Sequence, residues 1–543
     1  MTEQPQPQGK AQRTTSRVPH LVVALSLALG LVLRLRALPS GGLFQDDAWV
    51  ALTGTTSWSQ AFKMAGTAPG FVAVLHVWLP LSSSPIMAVL PALGVGILGL
   101  VSVVLVLRRL RAESWVVALG VATIALSPVA VATSGHVKQY TLDFLLALWM
   151  TYLAQRSREH LPHALQLFVL LSLGGIIFSA STVIVFLGAW LVIGAEALRG
   201  VDRRRQALLA GSIAGFGFIV IFAVAYRNLP VALTRYWADY LLQPSPLSTW
   251  PSRAGNVIRG ITTGLLPTST SLSHEVMFVT ALLGCLVLLG ALSREALPGR
   301  AIALATIVVA VILALFSKVP LGTGRTDMAL YPALLLLGLS GVRELVRKVA
   351  TFAPTTRAVA ALVCVLVVAT FVTTSVANER HYLDTPIRAA LLQASTCATD
   401  DKPLLVIDPY TRYPYALTTP STVTELFSRE YGAGFTVSVP QDQATILPAQ
   451  SYERPYQPKR WANGVIAHAQ QHRTAASFVA YVQTPPSGAK AALAQQLASA
   501  STPNALTDPF LAQLLRRDLV MTRHEIVGPL LVTCLRVPST SPH

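Results

Sequence analysis

Between Leu21 and Val376 the chain is a succession of long apolar blocks separated by short charged runs. About 20 apolar residues in a row suffice to cross a bilayer as a helix. In hydrocarbon every backbone amide must find its partner within the protein, which makes serial helices the fold open to such blocks. Composition agrees: of 543 residues 52% are hydrophobic and only 12% charged, against roughly 25% charged in soluble domains. The fold class is a polytopic α-helical membrane protein.

The predicted spans are 18–37, 85–107, 114–133, 141–155, 163–178, 180–198, 205–226, 274–292, 299–317, 328–346 and 356–376, eleven in all. Residues 1–17 are polar and Pro/Gln-rich, and are expected to form a disordered cytoplasmic tail ahead of an uncleaved first helix. The apolar stretch Pro69–Leu81 has 13 residues, which at 1.5 Å per residue reach about 20 Å, short of the roughly 30 Å core. It is expected to lie in or dip into the interface without crossing. With that choice the basic clusters at Arg108–Arg111, Arg156–Arg158, Arg199–Arg205, Arg294–Arg300 and Arg343–Lys348 all become cytoplasmic; if it crossed, all five would fall outside. The positive-inside bias selects the first topology.

The formal net charge is +17, but 377–543 holds 14 Lys/Arg and 12 Asp/Glu, a net of +2, which leaves +15 in the membrane part and its loops. That distribution fits a lipid bilayer partner and no nucleic acid. Beyond Ala377 the apolar runs shorten to strand length, as in Pro403–Ile407 and Leu530–Cys534, and Thr474–Ser501 has helical character. The expectation is a small extracytoplasmic α/β domain over 377–543 after a transmembrane domain over 18–376. Cys285 and Cys364 fall within apolar spans, whereas Cys397 and Cys534 fall in the outer region, where a disulfide is permitted if that region is extracytoplasmic.

This topology places four segments on the outer side: a first loop over 38–68 with Asp46 and Asp47, the turn His136-Val-Lys-Gln-Tyr140 with Asp143, the 227–273 loop, and Lys318–Asp327 with Gly322-Thr-Gly-Arg325. Adjacent carboxylates near hydrocarbon are costly and need a reason. Carboxylates supply a general base, Lys and Arg neutralise phosphate, and the glycines beside Thr323 let backbone amides approach an anion. Each feature also has a plain reading. The two acids are equally those of a solvated loop, and Lys138 and Arg325 are equally snorkelling flanks. Asp143, Asp327 and His136 are equally interface or capping groups, and Gly-Thr-Gly alone is a weak phosphate signal. Arg34 and Arg36, at the outer end of the first span, break the charge bias. That suggests a role for Arg34, either pairing with Asp46 or Asp47 or binding phosphate.

The run Leu33-Arg-Leu-Arg-Ala-Leu followed by Leu43-Phe-Gln-Asp-Asp-Ala-Trp49 resembles the first-loop signature of the GT-C glycosyltransferase superfamily, which includes protein O-mannosyltransferases and the aminoarabinose transferases of lipid A. Thr67-Ala-Pro-Gly-Phe71 with His76-Val-Trp78, Ser127-Pro128 leading into His136–Tyr140, and Gly322–Arg325 before Tyr331-Pro332 resemble its later motifs. The resemblance covers about residues 20–345 as short motifs, with Asp-Asp where relatives commonly have Asp-Glu. It implies an inverting transfer of sugar from a polyprenyl-phosphate donor to the hydroxyl of a glycan or protein acceptor, at the outer face of the plasma membrane, in cell-envelope assembly. By carry-over Asp46 is the catalytic carboxylate, with Asp47 its neighbour or replacement, and Lys138, Tyr140 and Arg325 form the donor-phosphate site. Arg34, His136, Asp143 and Lys318 are supporting candidates. No metal ligand set is assigned, and use of magnesium or manganese is left open, since the superfamily has members of both kinds. A lipid-linked sugar flippase and a non-catalytic scaffold are the alternatives. Mid-membrane charges and inverted repeats would mark the flippase, and the sequence shows neither.

Overall fold

A computed structural model of the protein describes residues 17–39, 42–55, 58, 67–82, 84–159, 162–199, 201–226, 237–243, 246–267, 273–293, 296–349 and 387–397, together with seven short strands between 404 and 536. Helices occupy every predicted span except 356–376, which lies outside the described residues. They are α1 (Val18–Arg36), α4 (Pro85–Arg109), α5 (Ser114–Leu126) with α6 (Pro128–Ser134), α7 (Tyr140–Arg158), α8 (Pro162–Phe178), α9 (Thr182–Arg199), α10 (Val201–Ala225), α12 (Ser273–Leu292), α13 (Arg300–Leu315) and α14 (Tyr331–Val349). Five are long and apolar enough to cross a membrane, or six if the bent pair α5–α6 counts as one span. Large apolar side chains such as Leu209, Phe216, Ile219 and Phe278 face outward on these helices; against lipid that exposure carries no hydrophobic penalty.

Three differences from the sequence expectation have direct causes. The first loop is partly helical: α2 (Gln45–Thr55) begins at the acidic pair and buries Ala48, Val50, Ala51 and Leu52. Carboxylates in a first turn complement the positive helix terminus. The 227–273 loop contains a helix, α11 (Trp250–Leu265), with Pro251 in its first turn. Val257, Ile261 and Leu265 line its inner face, and Ser252, Asn256 and Arg259 its exposed face, a spacing of three and four that marks an amphipathic helix. The predicted 114–133 helix is broken by 57° at Ser127-Pro128. Pro128 has no N–H to give, so the Ile124 carbonyl loses its helical partner. Arg34 supplies the replacement, its Nη2 donating to Ile124 O at 3.2 Å and its Nη1 to Ala125 O at 3.5 Å and Gly30 O at 2.9 Å.

The short apolar stretch forms α3 (Pro69–Trp78) and a single 3-10 turn at Leu79–Leu81. It packs with α2 through Phe71, Leu75 and Leu79, and the Trp78 indole donates to Met87 O at 2.7 Å, tying it to α4.

The basic clusters gather at one end of the bundle. Arg109 stacks on Trp149 and Tyr152 near the end of α7. Arg158 pairs with Glu196 of α9, and Arg343 of α14 pairs with Glu113 before α5 at 2.7 Å. The α1–α2, α6–α7 and α13–α14 connections therefore lie at the opposite end. In the C-terminal region the strands are β1 (Leu404–Ile407), β2 (Thr422–Leu426), β3 (Gly434–Ser438), β4 (Thr445–Ile446), β5 (Ala476–Tyr481), β6 (Val520–Val527) and β7 (Leu530–Arg536); a five-stranded sheet runs β4-β1-β5-β7-β6, with a separate β2-β3 pair. Ala476–Tyr481, read from sequence as part of a helical stretch, is β5, parallel to β1 and antiparallel to β7. Its apolar and aromatic residues belong in a central strand. Cys397, after α15 (Ile387–Ser395), is disulfide-bonded to Cys534 of β7.

Candidate functional site

The site is built where three connections meet at the end of the bundle away from the arginines. The first tie is Asp47. It is fully buried, its Oδ2 lies 2.7 Å from His136 Nδ1, and its Oδ1 accepts the Val137 N–H at 2.8 Å. A buried carboxylate is tolerable when charge-assisted hydrogen bonds replace its water. Both oxygens are thus used to lock the start of α2 onto the α6–α7 turn, and Val137 packs among Ala48, Leu52 and Leu75.

Asp46, one residue earlier, turns the other way. Its Oδ2 meets Arg325 Nη1 at 3.3 Å, and both side chains keep about 40% of their surface accessible, 40% for Asp46 and 41% for Arg325. The loop carrying Arg325 is held from inside. Thr323 Oγ1 accepts the N–H groups of Arg325 and Thr326, each at 3.0 Å, and donates to Asp327 Oδ1 at 2.9 Å. Asp327, fully buried, also accepts the Thr323 N–H at 3.1 Å. Gly322 has φ +76°, open to glycine at little cost, and a Cβ there would meet the Val257 backbone at 2.5 Å. Facing it, a Cβ on Gly260 would sit 1.8 Å from Gly322 O. Helix α11 is therefore the bed on which the Arg325 loop rests.

Lys138 completes the group. Only 7% of its surface is exposed, and its Nζ lies 5.5 Å from the Trp49 ring centroid, a cation–π contact. Burial pushes its ammonium below the usual lysine range; the Asp46 and Asp47 charges oppose that push and Arg325 adds to it. No carboxylate reaches ion-pair distance of Lys138 among the described residues. Tyr140, in the first turn of α7, lies within the field of Arg325, Asp46, Asp143 and Asp47.

Of the residues singled out from sequence, Asp46, Lys138, Tyr140 and Arg325 converge, and Asp47 and His136 hold the convergence together. Arg34 is elsewhere: its guanidinium serves the Ile124 and Ala125 carbonyls at the helix break and pairs with neither Asp46 nor Asp47. Lys318 is exposed just past a residue with positive φ, Ser317, and its side chain makes no ion pair among the described residues. Asp143 is buried one turn below Tyr140, beside Ser179 and Ser181. Sequence reading passed over α11, whose periodicity was legible, and Trp49 as a partner of Lys138. Among the described residues no three His, Cys, Asp or Glu side chains come together as a metal-binding group. With both Asp47 oxygens engaged, Asp46 is the accessible carboxylate of the pair.

An apolar-surfaced helical bundle with a charged site at one end is the class these observations define: a multi-pass membrane protein with its chemistry at the end of the helices. Among solved structures the chain is similar to ArnT from Cupriavidus metallidurans bound to undecaprenyl phosphate, at 13% identity and a TM-score of 0.48, covering 96% of this chain and 99% of that one. It is also similar to the apo state of the same protein, at 13% identity and a TM-score of 0.46, covering 95% and 97%. No protein-family model and no curated protein matches the chain. The functional reading below rests on the residues.

Proposed function

We propose that the chain is a membrane glycosyltransferase of the GT-C type, moving a sugar from a polyprenyl-phosphate donor to an acceptor hydroxyl at the outer face of the plasma membrane, in cell-envelope glycan or glycoprotein assembly. The observation that carries this reading is Lys138: a buried ammonium with no ion-pair partner among the described residues, within the field of Arg325 and of an accessible carboxylate. Two cations beside one another at the end of a bundle suit an anionic head group whose lipid tail lies along the helices.

In this reading Lys138 and Arg325 grip the donor phosphate and Tyr140 lines the site. Asp46 accepts the proton of the acceptor hydroxyl as its oxygen attacks the anomeric carbon from the face opposite the phosphate. The bond from that carbon to the phosphate oxygen breaks, its electron pair leaves with the polyprenyl phosphate, and the configuration inverts. The two cations stabilise the charge that develops on the leaving group. Arg325 is shared between Asp46 and the phosphate, so donor binding frees the carboxylate to act. Asp47 positions Asp46 through His136 and Val137 and takes no proton. The positive-inside bias of the basic clusters at the other end of the bundle supports a cytoplasmic side there, and the Cys397–Cys534 disulfide suits an oxidising compartment for the C-terminal region. No step runs through a metal.

The test supplies labelled polyprenyl-phosphate sugars to membranes of an expression host, with wild-type protein or Asp46→Asn, and reads glycan transfer by mass. Transfer by wild type alone, at matched protein levels, supports the reading. Equal transfer by both forms removes Asp46 as the base, and transfer by neither favours a flippase or scaffold.

A further inference from the structure

Helix α11 supports the Arg325 loop with one face, and its outer faces carry groups that the proposed chemistry does not use. Val257 and Ile261 of α11 share an apolar cluster with Leu242, Val319 and Leu321, so the helix and the chain that follows α13 form one surface. On that surface Arg259 and Lys318 are both exposed, and neither makes an ion pair among the described residues. Arg253, half-buried, donates to Gln243 O at 3.4 Å. Residues 240–274 include Arg253 and Arg259 and no Asp or Glu, and residues 301–326 include Lys318 and Arg325 and no Asp or Glu. The acids that flank these stretches are Asp239, Glu275 and the buried Asp327. Cations gathered here run against the bias that puts the other arginine clusters at the opposite end of the bundle.

Large apolar side chains border these cations. Trp250 is 40% exposed, Ile258 52% and Phe316 70%. Ile258 directly precedes Arg259, and Phe316 stands two residues before Lys318. In water that exposure is costly, and a soluble anion would meet the cations and leave the apolar groups wet. A phospholipid answers both, with a phosphate in its head group and acyl chains just beneath it. Cations whose stems run beside apolar side chains, with an indole at the same level, are the arrangement that a membrane interface favours. We infer that α11 and the Phe316–Lys318 turn form a docking surface for acidic phospholipids, with head groups at Arg259 and at Lys318 and acyl chains against Ile258 and Phe316. Gly260, next to Arg259, bears on Gly322, so a lipid held there lies against the bed of the Arg325 loop. This goes beyond the glycosyl-transfer reading and does not depend on it.

Full-length protein carrying the exposed substitution Ile258→Trp would be placed in nanodiscs of neutral phosphatidylcholine. A minor share of the lipid would be acyl-brominated phosphatidylcholine or, in parallel, acyl-brominated phosphatidylglycerol. Bromine quenches a nearby indole, and subtracting the wild-type signal isolates the one beside Arg259; Phe316→Trp gives a second reading beside Lys318. One cation near the surface enriches an acidic lipid about fivefold, so quenching by the brominated phosphatidylglycerol should exceed that by the phosphatidylcholine at least about twofold. High salt should remove the difference. Arg259→Ser combined with Lys318→Ser should remove it as well, while Arg259→Lys combined with Lys318→Arg keeps it. Equal quenching by the two lipids before any charge is removed would overturn the inference, as would a preference that survives the double serine variant, which would put the acidic lipid elsewhere. Quenching by neither lipid would set α11 in water, leave its cations to a soluble anionic partner, and overturn the inference too.

Discussion

The two adjacent acids should come apart under mutation, and the structure fixes how. Asp46 is paired with Arg325 at 3.3 Å with both side chains about 40% accessible. Such pairs contribute about 0–1 kcal/mol, so Asp46→Asn should leave the folded state almost untouched. Its cost should fall on chemistry: loss of a general base is typically about a hundredfold to ten-thousandfold in rate. Asp47 is the reverse. It is fully buried and accepts from Val137 N–H at 2.8 Å while meeting His136 Nδ1 at 2.7 Å. Hydrogen bonds to a charged group contribute about 1.5–3 kcal/mol each, and removing the acceptor leaves a buried amide unpaired. Asp47→Ala should therefore cost about 3–5 kcal/mol, seen as a large drop in midpoint temperature by scanning fluorimetry in detergent, and should lower turnover because the loops separate. The paired readout is midpoint temperature against sugar transfer for both variants. Similar destabilisation by the two, or an Asp47→Ala protein with full stability and turnover, would refute the division of labour between base and clamp.

Four further outcomes follow from named contacts. Lys138 is held below its usual value of 10.5 by burial, and a bound phosphate favours its charged form, so donor binding takes up a proton above the depressed value. Affinity for a polyprenyl-phosphate sugar should fall as pH rises through an alkaline window that opens at the depressed value, and Lys138→Met should flatten that slope in a binding titration, Arg325 being always charged. By the same linkage, stability of the unliganded fold should rise with pH there, since the unfolded chain holds the proton more tightly. Arg34→Ala strips the Ile124 and Ala125 carbonyls of their donor and should cost about 2–4 kcal/mol; a thermal melt unchanged from wild type would contradict it. Gly260→Ala puts a Cβ 1.8 Å from Gly322 O and should cut transfer at least about tenfold by displacing the Arg325 loop, read against a melt. The Cys397–Cys534 bond closes a separation of 137 residues; Cys534→Ser should remove about 4–5 kcal/mol from the C-terminal region in the chain-entropy account, measured by limited proteolysis, with a non-reducing peptide map confirming the bond in wild type.

What was legible in the sequence was whatever depends on local composition. Apolar length marked the helices, and the clustered arginines marked one end of the bundle because charge cannot be spread along a lipid-facing surface. The co-facing of Asp46, Lys138 and Arg325 followed from counting crossings. What was not legible depends on who meets whom at long range. Nothing local distinguishes Asp46 from Asp47; the difference is the side of α2 on which each falls and the Val137 amide ninety residues on that claims one of them. The helix Trp250–Leu265 carried a readable period, but it lies among prolines and aromatics that read as loop, and its small residues make sense only once Gly260 is seen against Gly322. The strand Ala476–Tyr481 is alanine-containing and short, and its two neighbours β1 and β7 decide its state.

Arg34 shows how a correct anomaly can point to the wrong partner. An arginine at the non-basic end of a first span demands compensation, and two acids, Asp46 and Asp47, follow it in the next loop. Yet a guanidinium with five donors is as well satisfied by carbonyls as by carboxylates, and Pro128 had already created carbonyls with no N–H to meet them. Spending Arg34 on the break leaves Asp46 without that neighbour, and Arg325 is the ion-pair partner that its carboxylate meets. Arg325 sits on the loop that also faces Lys138. The break, the buried arginine and the clamped Asp47 thus act in one direction: each fixes backbone around Asp46, so that the carboxylate proposed to take the proton is among the few polar groups here still accessible.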